Sequence, residues 1–235
     1  LKEIFDNKNP QEFWSRYITS LIDPYLAAIF IKLEINPNII TLLMLPGSFL
    51  CLYFGIFIYD KNLNLFLISL TGVCINVIDC TDGIVARHSN KATLYGKYLD
   101  RICHYVANPT IFLAYGIYSI QIDKPITGYI FILITILDLF DVASKDFLFL
   151  IELNKSDFSY SEPKKLRFSL RSIRDNIVRI FFLPLTCIPH TVLFLFPLFI
   201  NFENLISFYS LVFLIQLIVK IIKRSTNIYK KYVNK

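Results

Sequence analysis

The feature that most constrains this chain is a succession of apolar runs, each about 20 residues long. That is the length at which a helix crosses a hydrocarbon core of about 30 Å. Within 235 residues, six segments qualify: Ile39–Ile58, Leu65–Ile84, Leu99–Ile120, Ile126–Leu153, Ile177–Leu198 and Leu205–Ile222. Inside lipid, every backbone amide must find its partner within the protein, so single runs of this kind are helices. The expected fold class is an all-α integral membrane protein, a six-transmembrane-helix bundle. Composition agrees: 55% of the residues are hydrophobic and 18% charged, against roughly 25% charged in soluble domains. Disorder, a coiled coil and a nucleic-acid-binding domain are excluded on this basis, although the net charge is +6. The first 35 residues carry charges throughout, and no cleavage pattern follows a short apolar stretch, so no signal peptide is expected there.

The basic residues set the expected orientation. Lys2, Lys8, Arg16 and Lys32 precede the first span, and Arg87, Lys91 and Lys97 separate the second from the third. Lys155, Lys164, Lys165, Arg167, Arg171 and Arg174 separate the fourth from the fifth, and Lys223, Arg224, Lys230, Lys231 and Lys235 follow the sixth. The intervening connections hold only Lys61 and Lys124. Lys and Arg accumulate on the cytoplasmic side, which predicts a multi-pass protein with both termini and the motif-bearing connections cytoplasmic.

Three regions are expected. In residues 1–36, Phe13, Trp14, Tyr17, Ile18, Leu21 and Ile22 recur at helical spacing beside Arg16 and Asp23. Pro24 interrupts, and Tyr25–Leu33 is apolar again before Pro37. This pattern predicts N-terminal interfacial amphipathic helices in the headgroup region, with a cap packed on the bundle as the alternative. Residues 37–224 form the six-span domain, and residues 225–235 a basic cytoplasmic tail. The five cysteines stand singly without CxxC spacing, which excludes a thiolate metal site and a disulfide framework.

Ionisable residues within a span are expensive and usually functional. They concentrate around the connection between spans two and three, in DCTDGIVARHSNKATLYGKYLDRICH. On a helix, Asp79, Asp82 and Ala86 share one face, as do Asp100 and His104. The two helices are antiparallel neighbours, so both faces can meet. Three converging carboxylates repel unless a cation lies between them. Arg87 and Arg101 offer one solution, an ion-pair network. A divalent metal offers another, since hard oxygen ligands suit Mg²⁺ or Mn²⁺ and leave room for substrate phosphate.

The same stretch resembles the signature of the CDP-alcohol phosphotransferase family, D-x2-D-G-x2-A-R-x8-G-x3-D-x3-D. Asp79, Asp82, Gly83, Ala86, Arg87, Gly96 and Asp100 match, and Pro37-Asn38-Ile-Ile-Thr41 resembles the family's PN-x-x-T element. The resemblance implies a membrane enzyme that transfers a phospho-alcohol from a CDP-linked donor to an alcohol acceptor and releases CMP. At least one substrate would be a lipid, and a homodimer would be usual. It implies Mg²⁺ or Mn²⁺ (one or two ions) on Asp79, Asp82 and Asp100. Gly83, Ala86, Arg87, Gly96, Asn38 and Thr41 would lie at the CDP. The contrasting reading is a nucleotide-binding membrane protein or transporter without catalysis.

The signature's last Asp, assigned in the family as general base, is His104 here. Imidazole, with an unperturbed pKa near 6.5, can take a proton at neutral pH. His104 is therefore expected to be the catalytic base, with metal ligation as the alternative, which would favour Mn²⁺ or Zn²⁺. In the fourth span, Asp138, Asp141, Lys145 and Asp146 share a face that either lines an acceptor cavity or forms internal ion pairs. Arg167, Arg171 and Arg174 can share a face before the fifth span. They serve either as a topology signal near anionic lipid or as a site for a phosphate on the acceptor or lipid.

Overall fold

The computed structural model describes residues 20–153 and 203–232. Among them the chain is helical throughout its regular elements: α1 (Ser20–Lys32), α2 (Pro37–Leu42), α3 (Met44–Phe57), α4 (Lys61–His88), α5 (Leu94–Gln121), α6 (Pro125–Leu153) and α7 (Glu203–Tyr232). The boundaries follow local chemistry. Asp60 caps α4 by accepting from the Leu63 amide at 2.7 Å, and Thr93 caps α5 by accepting from the Gly96 amide at 3.0 Å. α1, α4 and α5 end the same way. Glu34, Asn90 and Asp123 take positive φ, and the next amide returns to the carbonyl five residues back. This is the Schellman arrangement, built without glycine.

The glycines go instead to helix contacts. A Cβ on Gly55 would lie 2.9 Å from the Ala114 carbonyl oxygen, and one on Gly128 would lie 2.9 Å from that of Gly116. Small residues let apolar helices approach closely where there is no hydrophobic force between helices in lipid. α5 is the hub, packing against α3, α4 and α6. Tyr115, fully buried, hydrogen-bonds Ser69 of α4 at 3.0 Å and stacks on Phe131 of α6 with ring centroids 5.6 Å apart.

Four helical segments among the described residues are long and apolar enough to cross a membrane: Pro37–Phe57, Lys61–His88, Pro125–Phe147 and Ile206–Thr226. They correspond to the first, second, fourth and sixth expected spans. The third coincides with α5 but is not among the four. Lys97, Asp100, Arg101, His104 and Asn108 occupy its first half and shorten the apolar remainder. The fifth lies outside the described residues. The first span comprises α2 and α3, which adjoin at Leu43 with its φ and ψ still helical, at −64° and −16°.

Most of the N-terminal region, residues 1–19, also lies outside them. α1 runs through Pro24, which therefore does not interrupt the helix. Proline forfeits the bond to the carbonyl four residues back, here Ser20 at the helix start, so little is lost. α1 buries Ala27 against Ile40, Ile84 and Val85, while Ile22, Tyr25, Ile29 and Leu33 form an exposed apolar stripe on its other side.

Two glycine substitutions should behave differently. Gly55→Ala sets a methyl against backbone that cannot yield, and overpacking of this kind costs about 1–3 kcal/mol. Gly83→Ala meets only the flexible Arg87 guanidinium, at 3.1 Å. Thermal unfolding in detergent should show a fall of several degrees for Gly55→Ala and little change for Gly83→Ala. Equal effects would contradict the packing described.

Candidate active site

The end of α4 and the start of α5 bring the signature together. His104 Nε2 lies 3.1 Å from Asp79 Oδ1 and 3.3 Å from Asp100 Oδ1. All three side chains are partly exposed, at 25%, 29% and 38% for His104, Asp79 and Asp100, so a solute can reach them. Their ligating atoms all lie within 4.8 Å of one another. Two carboxylates and an imidazole at this spacing fit a divalent cation: the oxygens suit Mg²⁺ or Mn²⁺, and the nitrogen widens the range toward Zn²⁺.

Asp82 is placed differently. It is buried and interacts electrostatically with Asp79 and Asp100, but its Oδ2 accepts a short hydrogen bond from the Thr41 hydroxyl. Thr41 lies on α2, whose start is fixed by Asn36 accepting from the Asn38 amide at 3.0 Å. Asn38 itself stands over Gly96: a Cβ there would lie 3.1 Å from Asn38 Oδ1. The short α2 thus touches both halves of the signature, Asp82 through Thr41 and Gly96 through Asn38. The Arg87 guanidinium folds back over Gly83, and Ala86 is half-buried one turn beyond Asp82.

The cation among the carboxylates is not Arg101, which reaches across to Asp146 of α6 at 3.3 Å. The fourth-span face forms internal ion pairs around Asp141. Lys145 Nζ lies at 3.1 Å, Lys220 Nζ at 3.4 Å, and Arg224 closes a short pair. Arg224 Nη1 also donates to the Asp141 carbonyl at 2.8 Å. Lys220 and Arg224 were not singled out from the sequence as interior partners. Their signal was a lysine within an apolar run and an arginine one turn on, the same face of α7. Asp138 belongs to the same face of α6 but takes no part in these pairs. It is 4% exposed, and its Oδ2 has no hydrogen-bond partner among the described residues. Arg167, Arg171 and Arg174 lie outside the described residues.

The sequence is similar to known proteins. The sequence profile of the CDP-alcohol phosphatidyltransferase family matches residues 34–216. An uncharacterized protein of Aquifex aeolicus (strain VF5) is 35% identical over 103 residues. That match spans 43% of this chain and 49% of the relative, so the chain aligns with about half the relative's length. The family match runs from before α2 into α7 and takes in every signature residue, and on that match the chain belongs to the CDP-alcohol phosphatidyltransferase family.

Proposed function

We propose that the chain transfers a phosphorylated alcohol from a CDP-linked donor to the hydroxyl of a second alcohol, releasing CMP, in lipid synthesis. The observation that carries this reading is the convergence of Asp79, Asp100 and His104 from two helices, with Asn38 and Thr41 docked on the same signature. Asp79, Asp82 and Asp100 would hold Mg²⁺ or Mn²⁺, one ion or two. Such an ion neutralises pyrophosphate charge so that a hydroxyl oxygen can approach phosphorus.

This chain's residues divide the remaining work. Arg87 offers a fixed positive charge at the nucleotide end, and Gly83, Ala86 and Gly96 leave room for CDP beside Asn38. The acceptor oxygen forms a bond to the phosphorus carrying the donor alcohol. The bond from that phosphorus to CMP breaks, and CMP leaves with the electron pair. The hydroxyl proton passes to the His104 imidazole. A second reading, favoured by the approach of Nε2 to both carboxylates, makes His104 a metal ligand.

At least one substrate would be a lipid, a reading supported by helices long and apolar enough to cross a membrane. The Lys and Arg distribution supports a cytoplasmic site with both termini on that side. Arg167, Arg171 and Arg174 would meet a phosphate on the acceptor or lipid. A nucleotide-binding protein without catalysis would bind CDP-alcohols and never turn them over.

CMP release from a panel of CDP-alcohols by the purified chain tests the activity. Asp100→Asn should lower turnover at least about 100-fold, as loss of a positioned charge at a reaction centre does. Binding without CMP release for every donor and metal would instead identify the non-catalytic protein. The role of His104 is separated by two variants. If it is the base, His104→Ala falls by about 10²–10⁴ at saturating metal, and His104→Asp recovers turnover with Mg²⁺. If it is a ligand, the loss in His104→Ala appears as weaker metal activation and diminishes at high metal concentration.

A further inference from the structure

The Asp138 carboxylate has no role in the ion pairs or the signature, yet it is almost fully buried midway along α6. A carboxylate in that position is costly unless it is used. Lys145 and Lys220 interact with it electrostatically, but both ammonium groups are ion-paired to Asp141 instead. Asp141 and His104 are its other electrostatic neighbours.

Helix register shows what else lies at its level. α5 and α6 are antiparallel, with Arg101 against Asp146, Tyr115 against Phe131 and Gly116 against Gly128. These pairs set Asp138 opposite Asn108. α4 and α5 are also antiparallel, with Asp79 against His104 and Ser69 against Tyr115. Those pairs set Asn108 opposite Asn76. Asn108 follows His104 by four residues and Asn76 precedes Asp79 by three, so each shares a face with a member of the metal-capable group. Asn76 Oδ1 lies 3.8 Å from Cys80 Sγ, one turn along α4. Both asparagines are half-buried. A polar layer of one carboxylate and two carboxamides thus crosses three helices about one turn, roughly 6 Å, deeper than His104.

We propose that this layer receives the acceptor hydroxyl before reaction, with Asp138 Oδ2 accepting its hydrogen bond and Asn76 and Asn108 flanking it; as the oxygen moves up to phosphorus, its proton turns from Asp138 to His104. The inference rests on the transferase reading above and follows from its geometry. Arg87, Asn38 and Gly96 place the nucleotide at the helix ends. Attacking and leaving oxygens lie roughly in line at a transferred phosphoryl group. CMP departs toward the helix ends, so the nucleophile comes from the opposite side, where the polar layer stands. The chemistry recognised is an alcohol hydroxyl, whether on a lipid or on a soluble polyol. The half-buried carboxamides, each with donors and an acceptor, can meet its neighbouring oxygens.

The test uses the full chain in mixed micelles and two acceptor arms: dioleoylglycerol with CDP-ethanolamine, and glycerol or inositol with CDP-diacylglycerol. In the arm the wild type uses, Asp138→Ala should raise the acceptor KM about tenfold or more, as loss of a hydrogen bond to a charged group does. The donor KM should move less than twofold. Asp138→Asn, which keeps an acceptor oxygen, should show a smaller rise, and Asn108→Ala should move the acceptor KM in the same direction. If Asp138→Ala does not fold, the latter two variants carry the test. An unchanged acceptor KM, or a donor KM that rises equally, would make Asp138 a structural partner of Lys145 and Lys220 and overturn the inference. A wild type that releases no CMP in either arm would overturn the transferase reading first, and the acceptor layer with it.

Discussion

Two carboxylates, Asp79 and Asp100, face one another across α4 and α5 in a bundle whose other contacts are largely apolar. Like charges in a low-dielectric site require a cation, and much of the arrangement follows from that requirement. His104 stands between them, 3.1 and 3.3 Å away, as the protein's own donor or as one of three groups around an ion. The same rule operates at Asp141, where Lys145, Lys220 and Arg224 converge from α6 and α7. One acid is compensated by side chains of fixed charge and the other pair by a group that can bind or exchange. The first kind ties helices together. The second is suited to chemistry.

Close helix approach makes the second kind possible. Gly116 and Gly128 bring α5 and α6 together, and Gly55 seats α3 against Ala114 of α5, so three helices share one register around α5. At the open end, Gly96 admits Asn38, and Thr41 of α2 bonds Asp82. Small residues at helix contacts, rather than flexible loops, bring the polar groups to the site.

Much of the candidate site was legible in the sequence because its spacing is local. Asp79 and Asp82 on one helix and Asp100 and His104 on the next follow from the helical period alone. What could not be read depends on register between helices. The Thr41–Asp82 bond joins residues 41 positions apart, and Arg224 reaches Asp141 from 83 residues away, so neither pairing has a local signal. Arg224 counts in the sequence among the basic residues after the sixth span, and Lys220, inside that span, is not singled out there, although both pair with a buried acid. The apolar-run count marked α5 as a spanning helix, but its first half is devoted to the site. Pro24 read as an interruption because its place at the start of a helix was not visible from the residues around it. The level shared by Asn76, Asn108 and Asp138 depends on five contacts that fix three antiparallel helices against each other.

The central claim is that α4 and α5 bring Asp79 and Asp100 together as a divalent-ion site beside His104. Mn²⁺ binding to the purified full chain, followed by electron paramagnetic resonance in detergent, tests it most directly because no substrate need be known. The account predicts a bound Mn²⁺ signal whose affinity falls at least about tenfold in Asp79→Asn, with helical content unchanged. Equal affinity in the wild type and that variant would contradict it.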